Sequence, residues 1–467
     1  MIRNYRNRKY RMSLLLLITA IVWVMTGCSS KDTKTGGASA SPAATQAASS
    51  PSAAASVKPS TAPSTGAKTK VTYWTIRTQD QVDLIKSKML GDLLKEIDLD
   101  IVPVPAADYE NKLRIAISGG NAPDMFDVDG VYTSNYAYSG ALLALDKYWD
   151  KADYDDYVQP AKDKTGFNGK IYAASLHDSS LVLYYNKDLF AKAGITNVPT
   201  KVSDAWTYAQ FLDAAKKLTV TDASGKITQY GAIPDGWLAP DNSTEGASFT
   251  RFLWVWNHGG EVLDPQNKTA NGYLNSDKTL AALQEYQDFY QKYKVSPLEA
   301  ITKDQSGFEN GKLAMYISNI GTTATLNTKY PDIKYGVMPL PKGEKQYGSS
   351  GGWNVGIYAK SKNPDAAWKV INAITGKAGH KQFTEMFNFI PSRKSTLEAR
   401  TDLAQYPLSM AKEEMNNARA RPVTPAYAEV SPIFAEMMSS IAYGGNVKDL
   451  ANKAVDNIDK ALKKYAQ

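Results

Sequence analysis

The sequence predicts an α/β architecture with enough chain for two domains. From Lys70 onward, short β-rich runs alternate with amphipathic helical stretches, the pattern that builds sheets covered by helices. The stretch from Val71 to Gln467 is long enough for two ordinary domains, each with its own core. The chain holds a single cysteine, Cys28, so no intramolecular disulfide forms and stability must come from burial.

The first element is an export signal. Arg3, Arg6, Arg8, Lys9 and Arg11 precede an apolar run from Leu14 to Met25, which at about a dozen residues is too short for a membrane span of roughly 20. It ends in Val24-Met25-Thr26-Gly27-Cys28, which resembles the lipobox of bacterial lipoproteins, with Met25 where leucine is most common. That resemblance implies a signal peptide over 1–27, cleavage after Gly27, and acyl chains, palmitate among them, on Cys28. The protein is then expected on the extracytoplasmic face of the cell membrane.

Residues 28–70 come next, and from Ser29 they are almost entirely Ser, Ala, Thr, Pro, Gly and Lys. Such a segment cannot bury enough apolar area to offset its ordering entropy, and it reads as a disordered tether.

Candidate strands follow at Val71 to Ile76, Ile101 to Val104, Ile171 to Leu176, Leu181 to Tyr185, Leu313 to Ile317, Tyr335 to Met338 and Trp353 to Ala359. A further strand runs up to Asp129. Helices show at their ends. Asn363-Pro364-Asp365 gives an N-cap with proline at the first helical position, and Gly376 closes that helix. Ser431-Pro432 opens another, with Phe434, Met438 and Ile441 on one face and Gly444-Gly445 behind it. The last has Val447, Leu450, Ala454, Ile458, Ala461 and Tyr465 at helical spacing.

The formal charge of +7 suggests nucleic acid until it is placed along the chain. Residues 1–70 carry ten Lys or Arg and one acid, Asp32, so the body is slightly acidic and offers no basic face for phosphates. Three histidines and no cysteine in the body make a structural zinc site improbable, and neither HExxH nor a Walker loop occurs. No cofactor or metal is expected. Asp127-Val-Asp129-Gly130 also lacks the glycine spacing of an EF-hand.

Several stretches, in order, resemble the extracellular solute-binding proteins of ABC-type sugar importers. They are Val71-Thr-Tyr-Trp-Thr75; Gly120-Asn-Ala-Pro-Asp-Met-Phe126; Leu142 to Asp146; Asn168-Gly-Lys-Ile-Tyr172; and Leu183-Tyr-Tyr-Asn-Lys-Asp-Leu-Phe190. Gly311-Lys-Leu-Ala-Met-Tyr316, Tyr335-Gly-Val-Met-Pro-Leu-Pro341, Gly351-Gly-Trp-Asn354, Ile390-Pro-Ser-Arg393 and Arg421-Pro-Val-Thr-Pro-Ala-Tyr427 complete the set. Residues 239–306 carry little of the resemblance. It implies a type II periplasmic-binding-protein fold, two α/β lobes joined by hinge strands around a cleft. Lobe 1 is expected over 71–182 and 340–379, lobe 2 over 183–336 and 380–467, with the hinge near 181–183 and 337–339. It also implies a monomer that captures a di- or oligosaccharide, closes around it and hands it to a membrane permease.

A neutral sugar presents hydroxyls and apolar ring faces, so its site needs carboxylates or amides beside flat aromatic walls. The 9 Trp and 28 Tyr supply the walls. By resemblance, Asp129 is the ligand carboxylate after its strand, with Asp127 as its substitute. Asp178 is a second polar contact, with Ser179 as its substitute. Trp353, behind Gly352, is a stacking wall, and Arg393 bonds ligand hydroxyls or holds the lobes together. Trp74 ends the first strand and floors the pocket or sits in the core. Trp237 lies in a turn, where a large aromatic needs a reason. Trp254 and Trp256 share a face by parity, while Trp206 and Trp368 read as packing. Ile320-Gly321 stands where a maltodextrin binder would carry tryptophan, which argues against that ligand.

Three other readings compete. Gly348-Ser-Ser-Gly-Gly352 fits GxSxG, with Ser350, Asp365 and His380 in hydrolase order, but a strand rather than a helix follows the serine. A cell-surface glycoside hydrolase could use two of Asp127, Asp129 and Asp178. A surface interaction or sensing lipoprotein would need no small ligand.

Overall fold

The computed structural model describes residues 68–235, 245–299 and 307–466. The expected signal peptide, Cys28, nearly all of the tether and Trp237 lie outside the described residues. Among the described residues, a short hairpin over Gly166–Phe167 and Lys170–Ile171 stands beside the strands that form the framework: β1 Thr69–Thr75, β2 Ile97–Pro103, β3 Met125–Asp129, β4 Ala173–Ser175, β5 Leu181–Asn186, β6 Val220–Thr221, β7 Ile227–Ile233, β8 Leu313–Asn319, β9 Tyr335–Met338, β10 Gly348–Ser350, β11 Trp353–Ile357 and β12 Ala418–Ala420.

Two five-stranded sheets result, in the orders β2-β1-β3-β11-β4 and β9-β5-β8-β7-β6. In the first, β1 runs parallel to β2 and β3, while β11 returns antiparallel between β3 and β4. Because β1 and β3 point the same way, their carboxyl ends open on one edge, where ligand crevices form in open α/β sheets. Each sheet has its own core. Val71, Tyr73, Ile85, Met125, Val355 and Ile371 fill lobe 1; Phe211, Trp254, Phe289, Met315, Phe434 and Ile458 fill lobe 2.

The lobe boundaries move from their expected places. Leu181 to Leu183 and Val337 already lie within β5 and β9, paired in the second sheet, so ladder bonds hold them rigid. The chain crosses just before the first of them, over 176–180, and well after the second, over 348–352, since Leu340 and Tyr347 still pack on the lobe 2 core. A third crossing lies at Phe389-Ile390. Phe383 packs in the lobe 1 core, whereas Ile390 packs with Val182, Leu403 and Met410 in lobe 2. The helix Lys377–Met386 therefore belongs to lobe 1, not to the lobe 2 segment expected from residue 380.

Helix ends follow burial where it competes with local signals. Pro364–Thr375 begins and ends as its N-cap proline and Gly376 dictate. The helix expected from Ser431 starts earlier, at Tyr427, and carries Pro432 inside it. Tyr427 and Val430 are fully buried, and that burial outweighs the backbone bond that Pro432 cannot donate. Trp254 and Trp256 lie in a helix, Glu245–Asn257, buried on nearly every side, so parity does not apply to them. Trp206 stacks on Phe190 just ahead of the helix Tyr208–Leu218, and Trp368 stacks on Tyr148.

Ahead of the second crossing, lobe 2 carries a buried acid. Glu414 is fully enclosed, and its Oε1 accepts from the Leu340 amide at 2.8 Å while Oε2 has no partner among the described residues. Burial pushes this carboxyl up to about 8. Between an ordinary carboxylate value and about 8 the folded chain keeps a proton that the unfolded chain loses, so stability falls as pH rises through that window. The slope is expected to reach about 1.4 kcal/mol per pH unit. Urea unfolding of Glu414→Gln across the window should give a flatter profile than the wild type.

Candidate functional site between the lobes

Three acids were candidates for the cleft, and the fold separates them. Asp127 is fully buried in lobe 1: Tyr73 Oη donates to Oδ1 at 2.5 Å, and Thr75 Oγ1 and the Ile76 amide donate to Oδ2 at 2.7 and 3.1 Å. Burial pushes its carboxyl up, opposed by the nearby Arg77. It fixes β1 to β3 and does not face a ligand.

Asp178 is equally enclosed, at the first crossing. Lys164 Nζ lies 3.0 Å from Oδ2, Ser350 Oγ reaches both oxygens, and the amides of Ser179 and Gly351 donate to Oδ1 at 2.7 and 3.1 Å. Those partners fill the acceptor sites of a carboxylate. Its own amide bonds the Ile390 carbonyl at 2.8 Å, so one residue links all three crossings. The ligand role expected of Asp178 gives way to a hinge role. Ser179 sits beside it, half-buried, with its carbonyl on the Gly351 amide.

Gly352 explains itself at the same place. Its φ is +90°, and a Cβ there would lie 2.3 Å from the His177 carbonyl, so only glycine lets the crossings approach this closely. Ser350 Oγ is spent on Asp178, while His380 Nε2 accepts from the Ser392 amide and its ring is pushed down to about 3 by burial. Ser350 and His380 therefore form no hydrolase pair.

Arg393 is also internal. Its guanidinium is fully buried, donating to both oxygens of Asp153, to Asp156 and to the Thr375 carbonyl, over the ring of Tyr157. All of these partners belong to lobe 1, so Arg393, which follows the third crossing, ties that crossing back to lobe 1. Each of its donor nitrogens is committed to them.

Asp129 differs from the other two acids. It ends β3, keeps some exposure, and its Oδ1 has no hydrogen-bond partner among the described residues. Facing it from lobe 2 is Arg421, Nη2 at 3.5 Å. Arg421 Nη1 donates to Glu245, the guanidinium lies 4.7 Å over Phe249, and Nε has no partner among the described residues. Glu245 also accepts from Tyr427 Oη at 2.8 Å and from Ser431 Oγ. Tyr132 of lobe 1 meets Tyr427 edge-on, and Asn135 donates to the Pro425 carbonyl. The Glu110 carboxyl, in hydrogen-bond contact with Tyr136, is pushed up to about 7 by burial, with the charge of Asp129 adding to the shift.

The aromatic walls stand next to this pair. Trp353 opposes Asp129 across β3 and β11, half-buried, with its ring edge-on to Tyr109 at 5.6 Å. Tyr109 Oη donates to the Trp74 carbonyl at 3.0 Å, which sets Trp74 at the same end of lobe 1. The structure thus gathers Trp74, Asp129 and Trp353 from the expected set, and adds Tyr132, Glu245, Phe249, Arg421 and Tyr427. The loop Arg421-Pro-Val-Thr-Pro-Ala-Tyr427 was visible in sequence as a proline-rich stretch with a cation and an aromatic. Glu245 and Phe249 carry no local signal, because helix packing alone brings them to the seam. Beside Arg421 a cavity of about 690 Å³ opens between Gln159 and Asp163 of lobe 1 and Trp256, Arg419 and Tyr347 of lobe 2.

Residues 86–381 match the family described as bacterial extracellular solute-binding protein. Among curated relatives, the arabinooligosaccharide-binding protein of Bacillus subtilis is 24% identical over 404 residues, 83% of this chain and 81% of its own. The maltooligosaccharide ABC transporter solute-binding lipoprotein of Streptococcus pneumoniae is 24% identical, covering 76% of this chain and 79% of its own. A Thermotoga lettingae ABC transporter solute-binding protein, solved with α-D-tagatose, superposes with a TM-score of 0.72 at 23% identity, over 85% of this chain and all of that one. The chain belongs to the bacterial extracellular solute-binding protein family.

Proposed function

We propose that this protein is a receptor that captures a carbohydrate in the seam between its lobes and delivers it to the permease of an ABC-type importer. One observation carries the reading. Asp129 Oδ1, an acceptor, is buried and meets Arg421 of the opposite lobe as an ion pair at 3.5 Å without a hydrogen bond, and Arg421 Nε, a donor, is buried without a partner among the described residues. Leaving such groups unsatisfied costs about 1–3 kcal/mol each. A sugar hydroxyl donates and accepts at once, so it answers both groups, and satisfying them from both lobes favours the closed form. Trp74, Trp353 and Phe249 offer rings beside them for the apolar sugar faces.

The named ligands of the two oligosaccharide-binding relatives support the same reading. The receptor acts as a monomer, held to the outer face of the membrane through acyl chains on Cys28 and the tether behind it. It binds without turnover: Asp127 and Asp178 are committed to internal bonds, and Glu245, the other carboxylate at the seam, is taken up by Arg421, Tyr427 and Ser431. A thermal-shift screen of mono-, di- and oligosaccharides tests this. A bound sugar should raise the melting temperature and change tryptophan fluorescence, and its mass should be unchanged after overnight incubation. A full screen at millimolar sugar without any shift would remove the carbohydrate reading, and shortened products would make the protein an enzyme.

A further inference from the structure

Lys164, near the end of the helix Gln159–Thr165, is only 3 % exposed, so a ligand in the seam does not reach it. Its neighbours nevertheless include both ligand-facing ends of lobe 1. Gly130 follows Asp129, and a Cβ there would lie 2.8 Å from Lys164 Cδ, so the lysine stem lies directly under that turn. Asn354 follows Trp353, and its Nδ2 donates to the Lys164 carbonyl at 3.0 Å. The far end of the same side chain holds the hinge, where Nζ bonds Asp178 at the first crossing and the Gly351 carbonyl at the second. Lobe 2 meets that point from the other side. A Cβ on Gly351 would lie 2.9 Å from Phe249 Cζ, and the Phe249 ring carries the Arg421 guanidinium. Contacts therefore run in a closed ring from Asp129 through Gly130, Lys164, Gly351 and Phe249 to Arg421, which faces Asp129 again.

We infer that Lys164 is a positioning residue of the sugar site: its stem seats the Asp129-Gly130 turn and its ammonium ties that turn to the hinge carboxylate Asp178. The role rests on the carbohydrate reading above and adds to it a side chain that sets affinity without touching the ligand. A lysine held at both ends in a close-packed interior has no free rotamer in which to absorb a displacement. Movement at the crossings is therefore felt at Asp129, and a ligand held by Asp129 resists movement at the crossings. The chemistry of the residue fits this use. An apolar side chain would fill the same space without the cost of desolvating an ammonium, but it would leave the turn and the hinge unconnected.

The test uses the whole mature protein and the sugar that gives the largest shift in the thermal screen. Titration calorimetry gives the affinity, and stopped-flow tryptophan fluorescence gives the dissociation rate. Lys164→Met keeps the stem and removes the ammonium. It should weaken binding by about 2- to 30-fold, the range for a residue that modulates a site it does not touch, chiefly through faster dissociation. In an Asp129→Asn background the same change should cost less than it does alone, because both act on one turn. Gly130→Ala leaves Asp178 and its partners in place and should also weaken binding, so it decides the matter if Lys164→Met does not fold. Losses from Lys164→Met and Asp129→Asn that simply add would overturn the positioning role and leave Lys164 a structural residue. Wild-type affinity and dissociation rate in Lys164→Met, or in Gly130→Ala, would overturn it too, with the carbohydrate reading left standing. A wild type that binds no sugar in the screen would overturn both.

Discussion

Asp178→Ala is expected to lower the unfolding free energy by about 3–5 kcal/mol, the range for breaking a buried ion pair on one side. Lys164 would keep its charge with only the Gly351 carbonyl beside it, since it is almost entirely enclosed. Ser350 Oγ and the Ser179 amide would lose their acceptor as well. Equilibrium urea unfolding measures the loss, and Ser350→Ala, which removes one neutral partner, should cost about 1 kcal/mol. Asp178 joins all three crossings, so the surviving protein should also show faster amide exchange over 176–180 and 348–352 than elsewhere. A change below about 1 kcal/mol for Asp178→Ala would mean that the crossings are held by packing and not by this carboxylate.

Arg421→Ala is expected to weaken sugar binding by about 10- to 150-fold, the worth of a hydrogen bond to a charged group. Its effect on stability should be smaller than that of Asp178→Ala. Glu245, its partner in lobe 2, would still accept from Tyr427 and Ser431. Asp129→Asn should weaken binding in the same direction, because the amide keeps one acceptor but loses the charge. The double variant should lose less than the sum, since the two side chains face one another and share the ligand hydroxyl. Titration calorimetry beside urea unfolding separates the two effects. Wild-type affinity in Arg421→Ala would place the ligand away from the Asp129 end of β3.

Much of the frame could be read from local pattern. Tyr335–Met338 forms the strand expected of it, and Pro364–Thr375 lies between its proline and its glycine. Turn and cap chemistry act within a few residues, so a window of sequence contains their causes. Ser431-Pro432 misled for the same reason: it is a good local start signal, but Tyr427 and Val430 already lie in the lobe 2 core. The strand Ile227–Ile233 escaped notice because it is half-exposed at its start and pairs mainly with β8, far along the chain.

The candidate site divides along the same line. The resemblance marked Asp129 and Trp353, and its place at a strand end marked Trp74, as groups able to meet a sugar. The same reading put forward Asp178 and Arg393, with Asp127 as the substitute for Asp129, because a carboxylate or guanidinium looks the same whether it faces solvent or a buried partner. Burial and bonding separate them, and both are set by residues distant in sequence: Tyr73 for Asp127, Lys164 and Ser350 for Asp178, Asp153 for Arg393.

By itself, the sequence determined the alternating α/β framework, most of its element ends and the pool of side chains fit for a sugar, because periodicity, caps and side-chain chemistry are properties of short stretches. Only the tertiary structure decided where the chain crosses between lobes, which acid faces the seam, and that Arg421 and Glu245 complete the seam with Asp129. Those outcomes depend on long-range packing that brings Asp129, Glu245 and Arg421 together, and no short stretch of sequence contains it.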